Sequence, residues 1–381
     1  MTDIYLDYAA TTPMAPEALA EMLPFFCEEF GNGSSIHRFG RRAKKQIGIA
    51  RERIQTAIGA KKPDEIILTS GGTEADNMAI FGAASRLAEK GKHIITSQIE
   101  HHAVLRTCQH LEKNGWRITY VPVDATGKVD PADVAKSIAA DTVLISIMMA
   151  NNETGVLQPI ADIGAIAHEH EVCFHTDAVQ AMGMIPINVE AMHIDMLSMT
   201  AHKLYGPQGV GALYVRSGTH IAPLLFGGEQ ERGRRAGTEN LPGIVGFGSA
   251  MHVALSNREA HCQSIAALRD RLVEGVRSSI PHVRLNGEFA NRLPGHANLC
   301  FEGVDGEALL MQLDMQGIVV SSGSACSSGD AEVSHVLKAM GLSQEDAEAS
   351  LRFSLGRGTT AEEIDAVLEI LPALVQRLRQ Y

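Results

Sequence analysis

Three segments of the chain carry residue types at spacings that suit chemistry on a phosphorylated, carbonyl-bearing ligand. In Ile66-Ile67-Leu68-Thr69-Ser70-Gly71-Gly72-Thr73-Glu74-Ala75, an apolar run ends in two glycines and passes into a helix start. Glycine lets the backbone approach a ligand closely, the first helical N–H groups lack internal partners, and the Thr73 hydroxyl adds a donor, so an anion fits here. An ordinary capped turn between strand and helix is the plainer alternative. The segment is neither a Walker loop nor a dinucleotide fingerprint, because it has neither G-x-x-x-x-G-K-[ST] nor G-x-G-x-x-G.

In His175-Thr176-Asp177-Ala178-Val179-Gln180, an apolar strand delivers a carboxylate to its end, with an amide three residues later. A carboxylate facing a protonated pyridine nitrogen keeps that nitrogen charged, so the ring accepts electrons, and Gln180 can bond the ring's phenolic oxygen. Taken alone, Asp177 reads more simply as the cap of the next helix. In Met199-Thr200-Ala201-His202-Lys203-Leu204-Tyr205-Gly206-Pro207, a lysine follows an apolar strand and precedes a tight turn. Desolvation makes such an amine available for Schiff-base formation with a carbonyl, although a snorkelling surface lysine explains the segment by itself. Thr200 and His202 flank the lysine and can donate to a phosphate. Anion cradle, carboxylate and lysine in that order are what pyridoxal phosphate requires for its phosphate, ring nitrogen and aldehyde.

The elements that must position these groups alternate strand and helix from about residue 64 to 215, the pattern of a mostly parallel sheet covered by helices. The expected strands are Glu65–Thr69, His93–Ser97, Arg117–Val121, Val143–Met149, Val172–Thr176, Met196–Met199 and Gly211–Val215. Ligands in such sheets bind outside the carboxyl ends of the strands, where all three segments lie. Pro16–Glu29, Arg41–Ala57 and Ile244–Arg277 read as helical. Further on, Ala297–Phe301 and Ile318–Ser321 read as strands, and Gly306–Met315, Glu332–Met340 and Ala361–Leu378 as helices. The expected division is a large ligand-binding domain over residues 15–260 and a smaller α+β domain made of residues 1–14 and 261–381.

Composition narrows the function classes. The 381 residues carry 45 acidic side chains against 33 Lys and Arg, a net charge of -12 that disfavours a general nucleic-acid surface. The apolar runs are too short to span a bilayer, and the first residues do not resemble an export signal, so a cytoplasmic protein without membrane contact is expected. Six cysteines without a C-x-x-C pair argue against a disulfide framework and a structural zinc site, and no metal is expected. Cys326 differs from the others. It sits in Ser321-Ser322-Gly323-Ser324-Ala325-Cys326-Ser327-Ser328-Gly329-Asp330, a stretch of almost no apolar content, so an exposed, mobile, nucleophilic thiol is expected there. The remaining five are expected to be packing residues.

Across nearly its whole length the chain resembles the cysteine desulfurases of the class V aminotransferase group, in their NifS and IscS branch. The resemblance runs through Tyr5-Leu6-Asp7-Tyr8-Ala9-Ala10-Thr11-Thr12-Pro13, Glu100-His101-His102-Ala103-Val104, Asn151-Asn152-Glu153-Thr154-Gly155, the Cys326 stretch and Arg352-Phe353-Ser354-Leu355-Gly356-Arg357. It implies the fold type I architecture of pyridoxal-phosphate enzymes, a mostly parallel seven-stranded sheet flanked by helices plus a smaller α+β domain. By resemblance, Lys203 is the cofactor-linked lysine, Asp177 the partner of the ring nitrogen and Gln180 the ligand of the ring oxygen. His101 is the histidine that stacks on the ring, and His102 is structural. Gly72, Thr73, Thr200 and His202 form the phosphate shell, with Thr200 where the family often has serine. Asn152 and Arg352 hold the substrate carboxylate, a task suited to the planar guanidinium fork.

Resemblance further implies that Thr238 reaches the cofactor phosphate of a neighbouring subunit, so the site is completed in a homodimer. It implies that Cys326 receives sulfur from L-cysteine as a persulfide, with L-alanine released, and passes it to an acceptor protein such as an iron-sulfur scaffold or a thiolation enzyme. The Ser- and Gly-rich stretch before Cys326 is unlike the R-x-G-H-x-C pattern of the SufS branch, and Gly33 stands where relatives commonly have proline. A selenocysteine lyase or aminotransferase would use Lys203 and Asp177 without needing a thiol, and a catalytically silent sulfur-transfer scaffold would need neither.

Overall fold

The computed structural model describes residues 3–322 and 333–380. Twelve strands are present among them: β1 (Ile4–Tyr5), β2 (Ile66–Thr69), β3 (His93–Ser97), β4 (Arg117–Val121), β5 (Thr142–Ser146), β6 (Cys173–Asp177), β7 (Met196–Thr200), β8 (Gly211–Val215), β9 (Val283–Leu285), β10 (His296–Phe301), β11 (Ile318–Val319) and β12 (Ser350–Ser354). The α-helices are α1 (Pro16–Met22), α2 (Pro24–Cys27), α3 (Arg38–Ala57), α4 (Gly72–Leu87), α5 (His102–Lys113), α6 (Pro131–Ser137), α7 (Ile160–Glu169), α8 (Leu241–Ser256), α9 (Arg258–Ser279), α10 (Gly306–Met315), α11 (His335–Ala339), α12 (Gln344–Glu348) and α13 (Ala361–Leu378).

Seven strands form one sheet in the order β2-β8-β7-β6-β5-β3-β4. Only β8 runs against the rest, pairing antiparallel with both β2 and β7. β2, β3, β5, β7 and β8 are buried at every position, as a sheet covered on both faces requires. Successive side chains point to opposite faces, so Ile66, Ile145 and Leu197 join one core while their neighbours Ile67, Leu144 and Met196 join another. The first core is closed by α3 and α8, through Ile47, Ile54, Ile244 and Phe247, and the second by α4 and α5, through Met78, Ile80, Val104 and Leu111. Fully burying one such side chain contributes roughly 1.5–3 kcal/mol, which fixes the register of each strand and therefore what stands at its end.

A separate core gathers Leu6 with Leu272, Phe301, Leu313, Phe353, Ile364 and Leu371. It lies against the three-stranded sheet β12-β10-β9 and the short pair β1-β11. Leu6 of the amino-terminal segment thus packs with residues more than 260 positions away, such as Leu272 and Phe353.

Two helices expected as continuous are broken. Pro24 has no N–H to extend α1, and the chain restarts as the single turn α2. Between α8 and α9, Asn257 leaves helical geometry at φ -136° and ψ 29°. α11 starts at His335, short of the expected Glu332, which lies outside the described residues. No helix among the described residues is long and apolar enough to cross a membrane.

Candidate active site

The carboxyl ends of β2, β6 and β7 meet at one edge of the sheet, since Thr69 and Thr200 are both registered on Gly211 of β8 and Asp177 on Ser198 of β7. α4 begins there with Gly71 at its cap, and no side chain caps it. A Cβ at Gly72 would lie 2.7 Å from Val179 Cγ2 and 3.9 Å from Thr200 Cβ, so the bare backbone of the helix start rests directly on the β6 and β7 ends. Thr73 is exposed in the first turn, where its hydroxyl stands beside N–H groups that have no intrahelical acceptor.

Lys203 lies in the turn after β7, which is closed by Leu204 and Gly206 N–H groups donating to the Ala201 carbonyl. Its ammonium donates to the carbonyls of Ala9 at 2.5 Å and Ala10 at 2.6 Å. Gln180 Nε2 donates to the same Ala9 carbonyl at 3.0 Å, so residues 9 and 10 bring the lysine and the amide together. That stretch is laced to the turn: the Thr12 hydroxyl donates to the His202 carbonyl at 2.8 Å and accepts from the Tyr205 N–H at 2.8 Å. Tyr205 has φ 66°, a left-handed conformation that non-glycine residues seldom adopt, and its hydroxyl accepts from the Arg357 N–H at 2.6 Å. Strained backbone next to the amine is held by bonds on both sides.

Asp177 is buried and accepts from the Val179 N–H at 2.8 Å through Oδ1. Burial pushes its carboxyl up to about 6, opposed by the Val179 N–H and the charge of Lys203. A cation at the carboxylate would complete that compensation. His101 caps α5, and its Nδ1 accepts from the Ala103 N–H at 3.1 Å, so the proton of the neutral ring sits on Nε2. Burial and the Lys203 charge push His101 down to about 4. The same causes push His202, whose Nδ1 lies 3.2 Å from the Thr11 hydroxyl, to about 4. Both imidazoles are neutral at physiological pH.

The donor set fits pyridoxal phosphate. A side-chain-free helix start with Thr73, Thr200 and His202 suits a phosphate, buried Asp177 a protonated ring nitrogen, the Gln180 amide a phenolic oxygen, and Lys203 an aldehyde. Arg352 and Asn152 come together elsewhere on the site's border: Arg352 Nη1 donates to the Asn152 carbonyl at 3.0 Å, and Nη2 pairs with Asp7 at 2.7 Å. Thr238 stands apart from Lys203. It is exposed beside a concavity lined by Thr69, Ser70, Arg235 and Asn240. Cys326 lies outside the described residues.

Several contributors carried no role in the sequence reading. Asp7 is one, and its place in the Tyr5–Pro13 stretch was its only signal. Glu74 is another: it accepts from the Ser70 N–H at 2.8 Å and is bridged by Arg235 at 2.8 Å, tying the Thr238 segment to the anion cradle. His296, buried, lines the same cavity as Lys203, Gln180 and Tyr205. His102, expected to be structural, packs against His335 with ring centroids 4.9 Å apart and the rings tilted by 44°. Cys27 departs from the expectation of a packing residue: it is exposed, because the single turn of α2 buries no side chain.

The aminotransferase class-V family model matches residues 4–367. The chain belongs to the class-V aminotransferases, in their NifS and IscS cysteine desulfurase branch. A relative named cysteine desulfurase IscS, from Dictyoglomus turgidum, is 52% identical over 377 residues, covering 99% of this chain and 95% of its own. Among solved structures, one described as a NifS-like protein superposes with a TM-score of 0.93 at 37% identity, covering 99% of this chain and 100% of its own. Another, described as SspA in complex with cysteine, has a TM-score of 0.83 at 39% identity, covering 94% and 100%. Within this branch the mostly parallel seven-stranded sheet flanked by helices follows the fold type I plan.

Proposed function

We propose that the chain is a pyridoxal-phosphate-dependent cysteine desulfurase that transfers the sulfur of L-cysteine to Cys326, releases L-alanine and hands the sulfur to an acceptor protein. The observation that carries this reading is the convergence of Lys203, Asp177, His101 and the bare start of α4 on one sheet edge. The cysteine bound in the SspA structure and the names of the IscS relatives support the choice of substrate.

When bound, pyridoxal phosphate supplies an aldehyde that condenses with amines and a ring that takes up electrons from a broken Cα–H bond. The chain's residues supply the rest. Asp177 holds the ring nitrogen charged, and Gln180 orients the ring through its oxygen. Gly72, Thr73, Thr200 and His202 retain the phosphate. Lys203 Nζ is the amine placed to engage the aldehyde and to carry the proton taken from the substrate Cα. His101, neutral with its proton on Nε2, would stack on the ring, with its Nε2–H donating a hydrogen bond toward the substrate side. Arg352 and Asn152 hold the substrate carboxylate, which fixes the Cα–H bond relative to Lys203.

Cys326 completes the balance: its thiolate takes the substrate sulfur, the Cβ–S bond breaks as an S–S bond forms, and the β-carbon gains a proton to become the methyl group of alanine. Burial pushes the thiols of Cys108, Cys173, Cys262 and Cys300 above their ordinary range, Cys108 to about 12, which leaves them poor nucleophiles. The exposed side chains Ile36, Leu225 and Phe226, on the segments near Thr238 and the Gly31–Ser35 loop, support a homodimer in which Thr238 reaches across to the partner's phosphate site. All cysteines among the described residues are free, which suits the reducing cytoplasm. The acceptor is an iron-sulfur scaffold or a thiolation enzyme, both of which need a persulfide donor.

Replacing Cys326 with serine tests the assignment. The variant is expected to bind pyridoxal phosphate as the parent does and to lose L-alanine and sulfide production from L-cysteine. Production at the parent rate would remove Cys326 from the reaction.

A further inference from the structure

Asp76 lies one turn into α4, in the same helix whose start forms the anion cradle, and it is 1% exposed. Its Oδ1 is buried without a hydrogen-bond partner among the described residues, 3.7 Å from His175 Nε2. His175 and Asp177 are two apart on β6 and so share one face of the sheet. The Ser198 hydroxyl on β7 lies 2.9 Å from His175 Nε2 and against the Asp76 carboxyl, and the Ser146 hydroxyl on β5 lies 2.8 Å from His175 Nδ1. A line of groups therefore runs Asp76, Ser198, His175, Ser146 immediately behind the carboxylate assigned to the ring nitrogen.

Among the described residues, the groups facing Asp76 offer it no cation. From β6 come Asp177 and His175, and from the connection after β3 comes Glu100. The neighbouring faces of α5, β5, β8 and β2 present Val104, Cys108, Leu144, Leu213 and Ile67 to the same core as α4. Cys108 is a neutral thiol there, and burial pushes His175 down to about 3, so it too is neutral. An ionised carboxylate amid two other acids and apolar side chains would lack both water and a counter-charge. Burial, Asp177 and Glu100 all push Asp76 well above the usual carboxylate range.

We propose that Asp76 is a positioning residue that holds a proton behind Asp177, so that the two acids present a single negative charge to the cofactor's ring nitrogen. In this state Asp76 donates to the Ser198 hydroxyl, Ser198 donates to His175 Nε2, and His175 Nδ1–H donates to Ser146. An ionised Asp76 would reverse the line, with Ser146 donating to Nδ1, Nε2–H donating to Ser198, and Ser198 donating to the carboxylate. The tautomer of His175 therefore reports the charge of Asp76. This inference rests on reading Asp177 as the partner of the ring nitrogen, yet the state of Asp76 can be measured independently of that reading.

The test uses the holoenzyme and Asp76→Asn, which preserves shape and neutrality. The parent is expected to show the infrared carbonyl stretch of a buried protonated carboxylic acid near neutral pH, shifted by carbon-13 labelling of aspartate and absent from Asp76→Asn. The pH midpoint of the bound cofactor's absorbance is expected to move by no more than a few tenths of a unit, about what replacing one neutral group by another allows. A proton held in the fold above the ordinary aspartate value of about 3.9 makes the parent lose stability as pH rises, so the melting temperature of Asp76→Asn relative to the parent should climb from about pH 5 to about pH 8. Persistence of the infrared band in the variant, a midpoint shift of about one unit or more, or a flat melting difference overturns the proposal. Should the variant not fold, nitrogen chemical shifts of histidine-labelled parent protein decide: a proton on His175 Nδ1 supports it, and a proton on Nε2 overturns it.

Discussion

Asp7 and Arg352, 345 positions apart in the chain, form an ion pair at 2.7 Å between a half-buried carboxylate and a buried guanidinium. The guanidinium is 3% exposed, gives its other terminal nitrogen to the Asn152 carbonyl, and keeps Nε buried without a hydrogen-bond partner among the described residues. Its plane is therefore set before any ligand arrives, by one residue from the amino-terminal segment and one from the loop after β5. A planar fork held in this way is prepared to receive a second carboxylate.

Substituting Arg352 by lysine keeps the charge and loses the fork. One charge-assisted hydrogen bond contributes about 1.5–3 kcal/mol, so KM for L-cysteine should rise about tenfold or more while cofactor affinity stays near the parent value. Steady-state alanine formation and cofactor titration separate the two. An unchanged KM would confine Arg352 to its pairing with Asp7.

Gly72→Ala places a methyl group 2.7 Å from Val179 Cγ2, beside the assigned phosphate cradle. Overpacking of this kind costs about 1–3 kcal/mol, and here the shift falls on the helix start that binds the anion. Cofactor affinity should fall about tenfold in a titration of the cofactor-free protein, with a smaller effect on its melting temperature. An effect on melting alone would make Gly72 a packing glycine.

His101 is pushed down to about 4 by burial and by Lys203, against an ordinary histidine value of about 6.5. The unfolded chain takes up a proton below that ordinary value while the folded chain does not. Stability from this group is thus present above about pH 6.5 and is lost as pH falls toward about 4. His101→Gln removes the loss, so its melting temperature relative to the parent should improve between about pH 7 and about pH 5. A difference that stays constant across this range would contradict a neutral, buried His101.

The sheet was legible in the sequence because its strands are short, apolar and followed by glycine or polar turns. The spans His93–Ser97, Arg117–Val121 and Gly211–Val215 are those expected from the residues alone. Helix breaks were less legible, since the apolar spacing of 244–277 continues through Asn257 and only the backbone there turns away. Asp177 and Lys203 drew notice because one ends and the other follows an apolar strand, although each segment alone reads more simply as a helix cap or a surface lysine. Asp7, Glu74 and Asp76 did not, because each takes its role from a partner more than 90 residues distant, Arg352, Arg235 and His175 respectively. A carboxylate's partner across a sheet or between sheets leaves no periodic trace in the chain.

Borohydride reduction of the pyridoxal-phosphate-loaded protein, followed by peptide mapping, tests the central assignment most directly. The cofactor should be found fixed to the peptide containing Lys203 and should be lost from it in Lys203→Ala. Cofactor fixed to a different lysine, or to none, would contradict the account.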